Sequence, residues 1–170
     1  MLPLTFIPAT PVLVVGEGPA FEKRRALLMA AGIVNLTVCA TRPDAAALDA
    51  ARLVFGAGLS DEDNEWLASE ARARRIPVNI EDVPHLCDVH VPSIVRRGEL
   101  LLAISTAGGA PALSVVLREW LSVQFGPEWA DHMEEMAALR RRLRAAGAKP
   151  PEIIAAMRAH LAVAAWPPLA

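Results

Sequence analysis

Pro11-Val12-Leu13-Val14-Val15-Gly16 is a short, unbroken apolar run closed by glycine. Such a run suits a strand buried on both faces, which requires helices on both sides of a parallel sheet. The chain then repeats the pattern. Residues 22–31 read as a helix, with Leu27, Leu28 and Ala31 at helical spacing and Gly32 as its C-cap. Residues 33–39 are a second strand, turned by Ala40-Thr41-Arg42-Pro43, and residues 44–51 form a short alanine-rich segment. Residues 53–57 are a third strand, 61–75 a helix, and 77–80 and 100–105 further strands. Strand and helix alternate, which predicts an α/β fold with a mostly parallel sheet and right-handed crossovers.

Past Pro111 the character changes. Residues 112–125 and 127–146 read as helices, 146–151 as a break, 152–166 as a last helix, and 167–170 as a frayed end. A helical tail of this kind packs on the sheet or buries its apolar face in a second subunit. The expected division falls after residue 105, between an α/β part over 1–105 and a largely helical part over 106–170.

Composition excludes several classes. The 170 residues are 54% apolar with a net charge of −2, a globular make-up with no broad attraction for nucleic acid or an anionic membrane. No uncharged apolar run approaches the roughly 20 residues of a spanning helix. The apolar N-terminus lacks the basic segment of a secretory signal, and Cys39 and Cys87 lack metal-like spacing. The chain therefore reads as cytoplasmic, with free thiols.

Gly16-Glu17-Gly18 follows the first strand and opens a helix, the context in which a tight turn brings a pyrophosphate to a helix N-terminus. Pro19 suits a helix start. Phe21 stands where a small residue would let helix and strand approach. Thr41 and Arg42, with no Asp or Glu, end the second strand, and arginine is compatible with a 2′-phosphate. A dinucleotide site and a purely structural turn both fit this pattern.

Polar groups crowd residues 79–111. Asp82 can take a proton, or terminate a strand by satisfying turn amides. His85 and His90 lie near it without a fixed metal-ligand spacing and read as surface or packed histidines. Cys87 reads as a small buried hydrophobe. Arg96, Arg97 and Arg118 suit substrate carboxylates, or equally a solvated face or dimer ion pairs. Residues 105–109 form a small-residue loop whose amides can face an anion, or which permits close backbone approach. The arginines of 140–144 read as a solvated helix face, and Trp66, Trp120, Trp129 and Trp166 as helix anchors, Trp120 and Trp129 also suiting a dimer interface.

Leu2-Pro3-Leu4, the run Val12 to Gly18, Lys23-Arg24, Asn64, Pro77-Val78-Asn79 with Asp82 and Pro84, and Leu86-Cys87 form one ordered series. Pro92-Ser93-Ile94, Arg97, Ala103-Ile104-Ser105-Thr106, Gly108, Pro111 and Leu117-Arg118-Glu119 continue it. Over residues 2–145 the series resembles the precorrin-2 dehydrogenase/sirohydrochlorin ferrochelatase family, the N-terminal module of sirohaem synthase. The resemblance implies a shortened Rossmann-like parallel sheet as an NAD(P)-binding domain over 1–105, then a dimerisation region and C-terminal helical domain over 106–170, assembled as a homodimer. It implies oxidation of the tetrapyrrole precorrin-2 to sirohydrochlorin with NAD, NADP being compatible, and in some members insertion of ferrous iron or cobalt. Asp82 then falls on the catalytic carboxylate, and Gly16, Gly18, Pro19, Ala20, Thr41 and Arg42 fall on the nucleotide contacts. Ser105, Thr106, Gly108 and Arg97 fall on the substrate side, Thr106 where some relatives carry a phosphorylated serine, and no metal ligand is implied.

The chain departs from the family pattern at Glu17, at Phe21 and at Ala57-Gly58-Leu59-Ser60-Asp61. The stretch before Leu53 is also short by enough to remove a strand and a helix. The competing expectations are a tetrapyrrole-binding or metal-insertion protein that has lost dinucleotide binding, and a noncatalytic dimeric scaffold.

Overall fold

A computed structural model describes residues 5–164, so the readings for Leu2 to Leu4, for Trp166 and for 167–170 lie outside it. The chain forms two compact units, Met1–Val91 and Pro92–Ala170.

The first unit is the expected α/β layer structure. Strands β1 (Val12–Gly16), β2 (Leu36–Cys39), β3 (Leu53–Ala57) and β4 (Val78–Ile80) form a parallel sheet in the order β2-β1-β3-β4. Every residue of β1 and β3 is buried, as their unbroken apolar sequences predict. Helix α1 (Gly18–Ala30) joins β1 to β2, the six-residue α2 (Ala45–Ala50) returns the chain to β3, and α3 (Asp61–Ala73) leads to β4. With so short a return, β2 stays at the sheet edge. Val12, Val14, Leu53, Phe55 and Ala57 face one core with Phe21 and Leu28 of α1. Leu13, Val15 and Val54 face the other, with Leu48 of α2 and Leu67, Ala68 and Ala71 of α3.

Two helix starts carry their own caps. Asp44 accepts the Ala47 N–H at 2.8 Å, and Ser60 accepts the Asp63 N–H at 3.2 Å. Acidic Asp61, Glu62 and Asp63 in the first turn of α3 and Arg72 in its last suit the helix dipole.

The outer edge of β4 is sealed by residues 87–89. Asp88 and Val89 donate to the Val78 carbonyl at 2.8 and 3.3 Å, and Asp88 Oδ2 accepts from Val78 N–H at 3.3 Å. Cys87 Sγ accepts from Ile80 N–H at 3.3 Å and lies 3.2 Å from the Ile80 carbonyl, to which the thiol can donate. The thiol thus satisfies edge groups that a further strand would otherwise pair. Cys87→Ala is expected to cost about 1–2 kcal/mol and Cys87→Ser less, since serine keeps a donor and an acceptor. Urea unfolding of the two variants checks this; equal losses would refute the hydrogen-bonding role.

In the second unit the apolar run near residue 100 departs from expectation. Strand β6 (Leu100–Ile104) joins no parallel sheet; it pairs antiparallel with β5 (Ser93–Arg97), Val95 opposite Leu102. Only Gly98 and Glu99 separate the two strands, and a connection that short permits a hairpin but no parallel crossover. Helices α4 (Pro111–Gln124), α5 (Trp129–Ala145) and α6 (Pro150–Ala164) follow.

Candidate functional site

Because the sheet is parallel, the ends of β1, β2, β3 and β4 open on one edge of the first unit. There an open α/β fold binds its ligands. Gly16 holds φ +136° at the end of β1, and a Cβ there would run into the Ala57 carbonyl oxygen. This glycine therefore serves the close approach of β1 and β3. Gly18 differs: it sits at φ +78° with nothing within 4 Å of where its Cβ would stand.

Helix α1 starts at Gly18, earlier than its apolar spacing indicates, because Pro19 is preset for a first turn. Its N-cap Glu17 makes no side-chain capping bond, and its first turn holds no acidic residue. Amides without a side-chain cap beside open space fit an anion such as a pyrophosphate. Phe21 is only 6% exposed and packs into the α1-side core with Val12, Val14 and Phe55. Its ring fills the helix–sheet gap and leaves the space at Gly18 clear. Ala20 is half-buried beside the same core.

Asp82 lies just past β4. The Val83 N–H closes a turn on the Ile80 carbonyl at 3.3 Å, and Asp82 takes φ +60° within it. Aspartate tolerates that left-handed geometry better than most residues. Its exposed side chain is thereby released from strand alternation. Glu81 stays in register, donating its N–H to the Gly56 carbonyl at 2.9 Å.

A polar group forms beside it that the sequence reading did not single out. Asn79 pairs in register with Phe55, so Asn79 and, two residues on, Glu81 share the α1 face of the sheet. The Arg24 guanidinium of α1 stands 5.1 Å from the Phe55 ring centre. Arg24 Nε, Asn79 Oδ1 and Glu81 Oε2 are all buried without a hydrogen-bond partner within the protein. Burial pulls the Arg24 pKa below the usual arginine range, while Glu81, Cys87 and Asp82 act to raise it. Arg24 thus brings positive charge to the Asp82 turn. The only sequence signal for it was its place in the Lys23-Arg24 pair.

At the end of β2, Thr41 and Arg42 are exposed. Arg42 Nε lies 2.6 Å from Asp63 Oδ1, Arg42 Nη2 lies 2.7 Å from Glu62 Oε1, and the guanidinium stands 5.1 Å from the Trp66 ring centre. Ser60 Oγ donates to the other Asp63 oxygen at 2.7 Å. The Ser60 hydroxyl and then Arg42 hold the Asp63 carboxyl below its usual range. His85 and His90 are exposed, His85 lying 3.7 Å from Glu65. Among the described residues no group of three or more His, Cys, Asp or Glu could hold a metal ion.

Ser105, Thr106, Gly108 and Arg97 belong to the second unit. Arg97 donates to the carbonyls of Phe125 at 2.7 Å, Ser122 at 3.0 Å and Arg96 at 2.9 Å, which fastens the C-terminal end of α4 to β5. Ser105 Oγ accepts from Ala107 N–H at 3.2 Å and Thr106 Oγ1 from Ala110 N–H at 3.4 Å. Ala107 and Gly108 both take positive φ, so the loop turns sharply just before α4.

Residues 7–93 match a family model described as putative NAD(P)-binding. The chain is 39% identical over 128 residues to a siroheme synthase of Methylobacillus flagellatus, covering 64% of this chain and 27% of that protein. It is 35% identical over 153 residues to siroheme synthase 1 of Aeromonas hydrophila, covering 79% of this chain and 32% of that protein. The chain thus spans about a third or less of the length of these relatives. A solved structure titled SirC, precorrin-2 dehydrogenase, superposes with a TM-score of 0.73 at 18% identity, covering 93% of this chain and 88% of that one. The resemblance read from the residues is borne out, and the chain belongs to the family described as putative NAD(P)-binding.

Proposed function

We propose that this chain is an NAD-dependent dehydrogenase that converts precorrin-2 to sirohydrochlorin. The observation that carries the reading is the placing of an open, uncapped glycine turn and a positive-φ aspartate on the same edge of one parallel sheet. Gly18, Pro19 and Ala20 are the proposed pyrophosphate contacts, Gly16 shapes the turn, and Thr41 and Arg42 flank the adenosine end. A bound nicotinamide supplies the hydride acceptor. Asp82 takes the accompanying proton from the macrocycle, and Arg24 brings positive charge to its turn. Ser105, Thr106 and Gly108 of the second unit are proposed to offer hydroxyls and amides to carboxylates of the substrate, and Arg97 steadies the C-terminal end of α4. Asp82 is also the proposed acceptor for pyrrole protons displaced when ferrous iron or cobalt enters the product.

The chain is further proposed to act in the cytoplasm as a homodimer. Among the described residues no helix is long and apolar enough to cross a membrane. Helix α4 has no buried residue, and Val116, Trp120 and Val123 at helical spacing are 59%, 58% and 79% exposed. A stripe of that size on one helix suits a self-complementary contact. Val116→Asp is expected to shift the protein from dimer to monomer in analytical ultracentrifugation; an unchanged sedimentation coefficient would remove α4 from the interface.

The test of function is an anaerobic incubation with precorrin-2, with and without NAD. Sirohydrochlorin absorbance that grows only with NAD is expected. Its absence despite calorimetrically measured NAD binding would refute the dehydrogenase reading.

A further inference from the structure

We infer that the first turn of α3 sets cofactor choice, by holding Arg42 away from a 2′-phosphate and presenting carboxylates where that phosphate would lie. The inference rests on the dinucleotide reading above. In a parallel nucleotide-binding sheet the residues after the second strand meet the adenosine ribose: an acidic group there takes the hydroxyls, and an arginine takes a 2′-phosphate. By sequence Arg42 is placed for the second task. In the fold its Nε and Nη2 are engaged by Asp63 and Glu62 at 2.6 and 2.7 Å, and its guanidinium lies over Trp66.

The clamp is fixed at both ends. Asp63 is held by Ser60, the cap of α3, and Arg42 is held by two carboxylates and a ring face. Presenting the guanidinium to a phosphate would break two charge-assisted bonds and leave Glu62 and Asp63 facing a dianion, with Asp61 beside them. Such repulsion is an effective way to reject one of two otherwise alike ligands. The carboxylate missing from the end of β2 is thus supplied by another element.

Calorimetric titration of the full chain with NAD and with NADP tests this. Wild type is expected to bind NAD at least about tenfold more tightly than NADP. Glu62→Gln with Asp63→Asn frees Arg42 and should raise NADP affinity relative to NAD by about tenfold. Adding Arg42→Ala to that pair should abolish the gain, and an unchanged thermal unfolding midpoint in each variant reports an intact fold. Wild-type preference for NADP, an unchanged ratio in the double variant, or a gain that survives Arg42→Ala would each overturn the inference while leaving the dinucleotide site standing. Failure of wild type to bind either nucleotide would overturn both.

Discussion

Alanine at Gly16 is expected to destabilise the fold severely, whereas alanine at Gly18 should leave it folded and weaken NAD binding. The two glycines frame the same turn and do different work. At Gly16 a Cβ would enter the Ala57 carbonyl at φ +136°, so β1 and β3 must separate at the centre of the sheet. A clash of backbone with Cβ in a buried strand belongs to the rare class of substitutions costing about 4 kcal/mol or more, against a typical total of about 5–15 kcal/mol. At Gly18 the added methyl meets nothing, and only the left-handed backbone costs energy, about 1–2 kcal/mol. The methyl would then stand in the proposed path of the pyrophosphate. Thermal unfolding and NAD titration of both variants separate the two roles; similar stability losses would contradict the assignment.

Asp82→Asn is expected to lower dehydrogenation by roughly 10²- to 10⁴-fold, the usual worth of a positioned acid or base. Asparagine is the informative replacement because it also accepts the φ of +60° found at this position. Asp82→Ala would confound lost chemistry with about 1–2 kcal/mol of backbone strain. NAD affinity and unfolding midpoint should therefore match wild type in Asp82→Asn while turnover collapses. Equal turnover would remove Asp82 from the chemistry and leave it as the residue that shapes the turn.

The sheet was legible because buried parallel strands are unbroken apolar runs: residues 11–16 and 53–57 each contain the observed strand. The ordered series of motif residues also carried the family. Partner choice was not legible. The run at 100–105 has the same apolar character but lies two residues after β5, and only that spacing makes it a hairpin. Strand β5 itself, with two arginines and a single fully buried residue, Val95, lacks an apolar signature.

At the site, Asp82 could be named from sequence, but its release from strand alternation depends on one positive φ. Phe21 looked like an obstruction because sequence gives a side chain's size and not its direction. Arg42 looked available to a phosphate because its two acidic partners lie some twenty residues further along the chain. Charge pairs of that separation are created by topology.

The most direct measurement is a single-turnover reaction of the full chain with precorrin-2 and NAD under anaerobic conditions, reading NADH and sirohydrochlorin together. Equal amounts of the two products, rising at one rate, are predicted. Sirohydrochlorin without NADH, or neither product from an enzyme that demonstrably binds both substrates, would contradict the account.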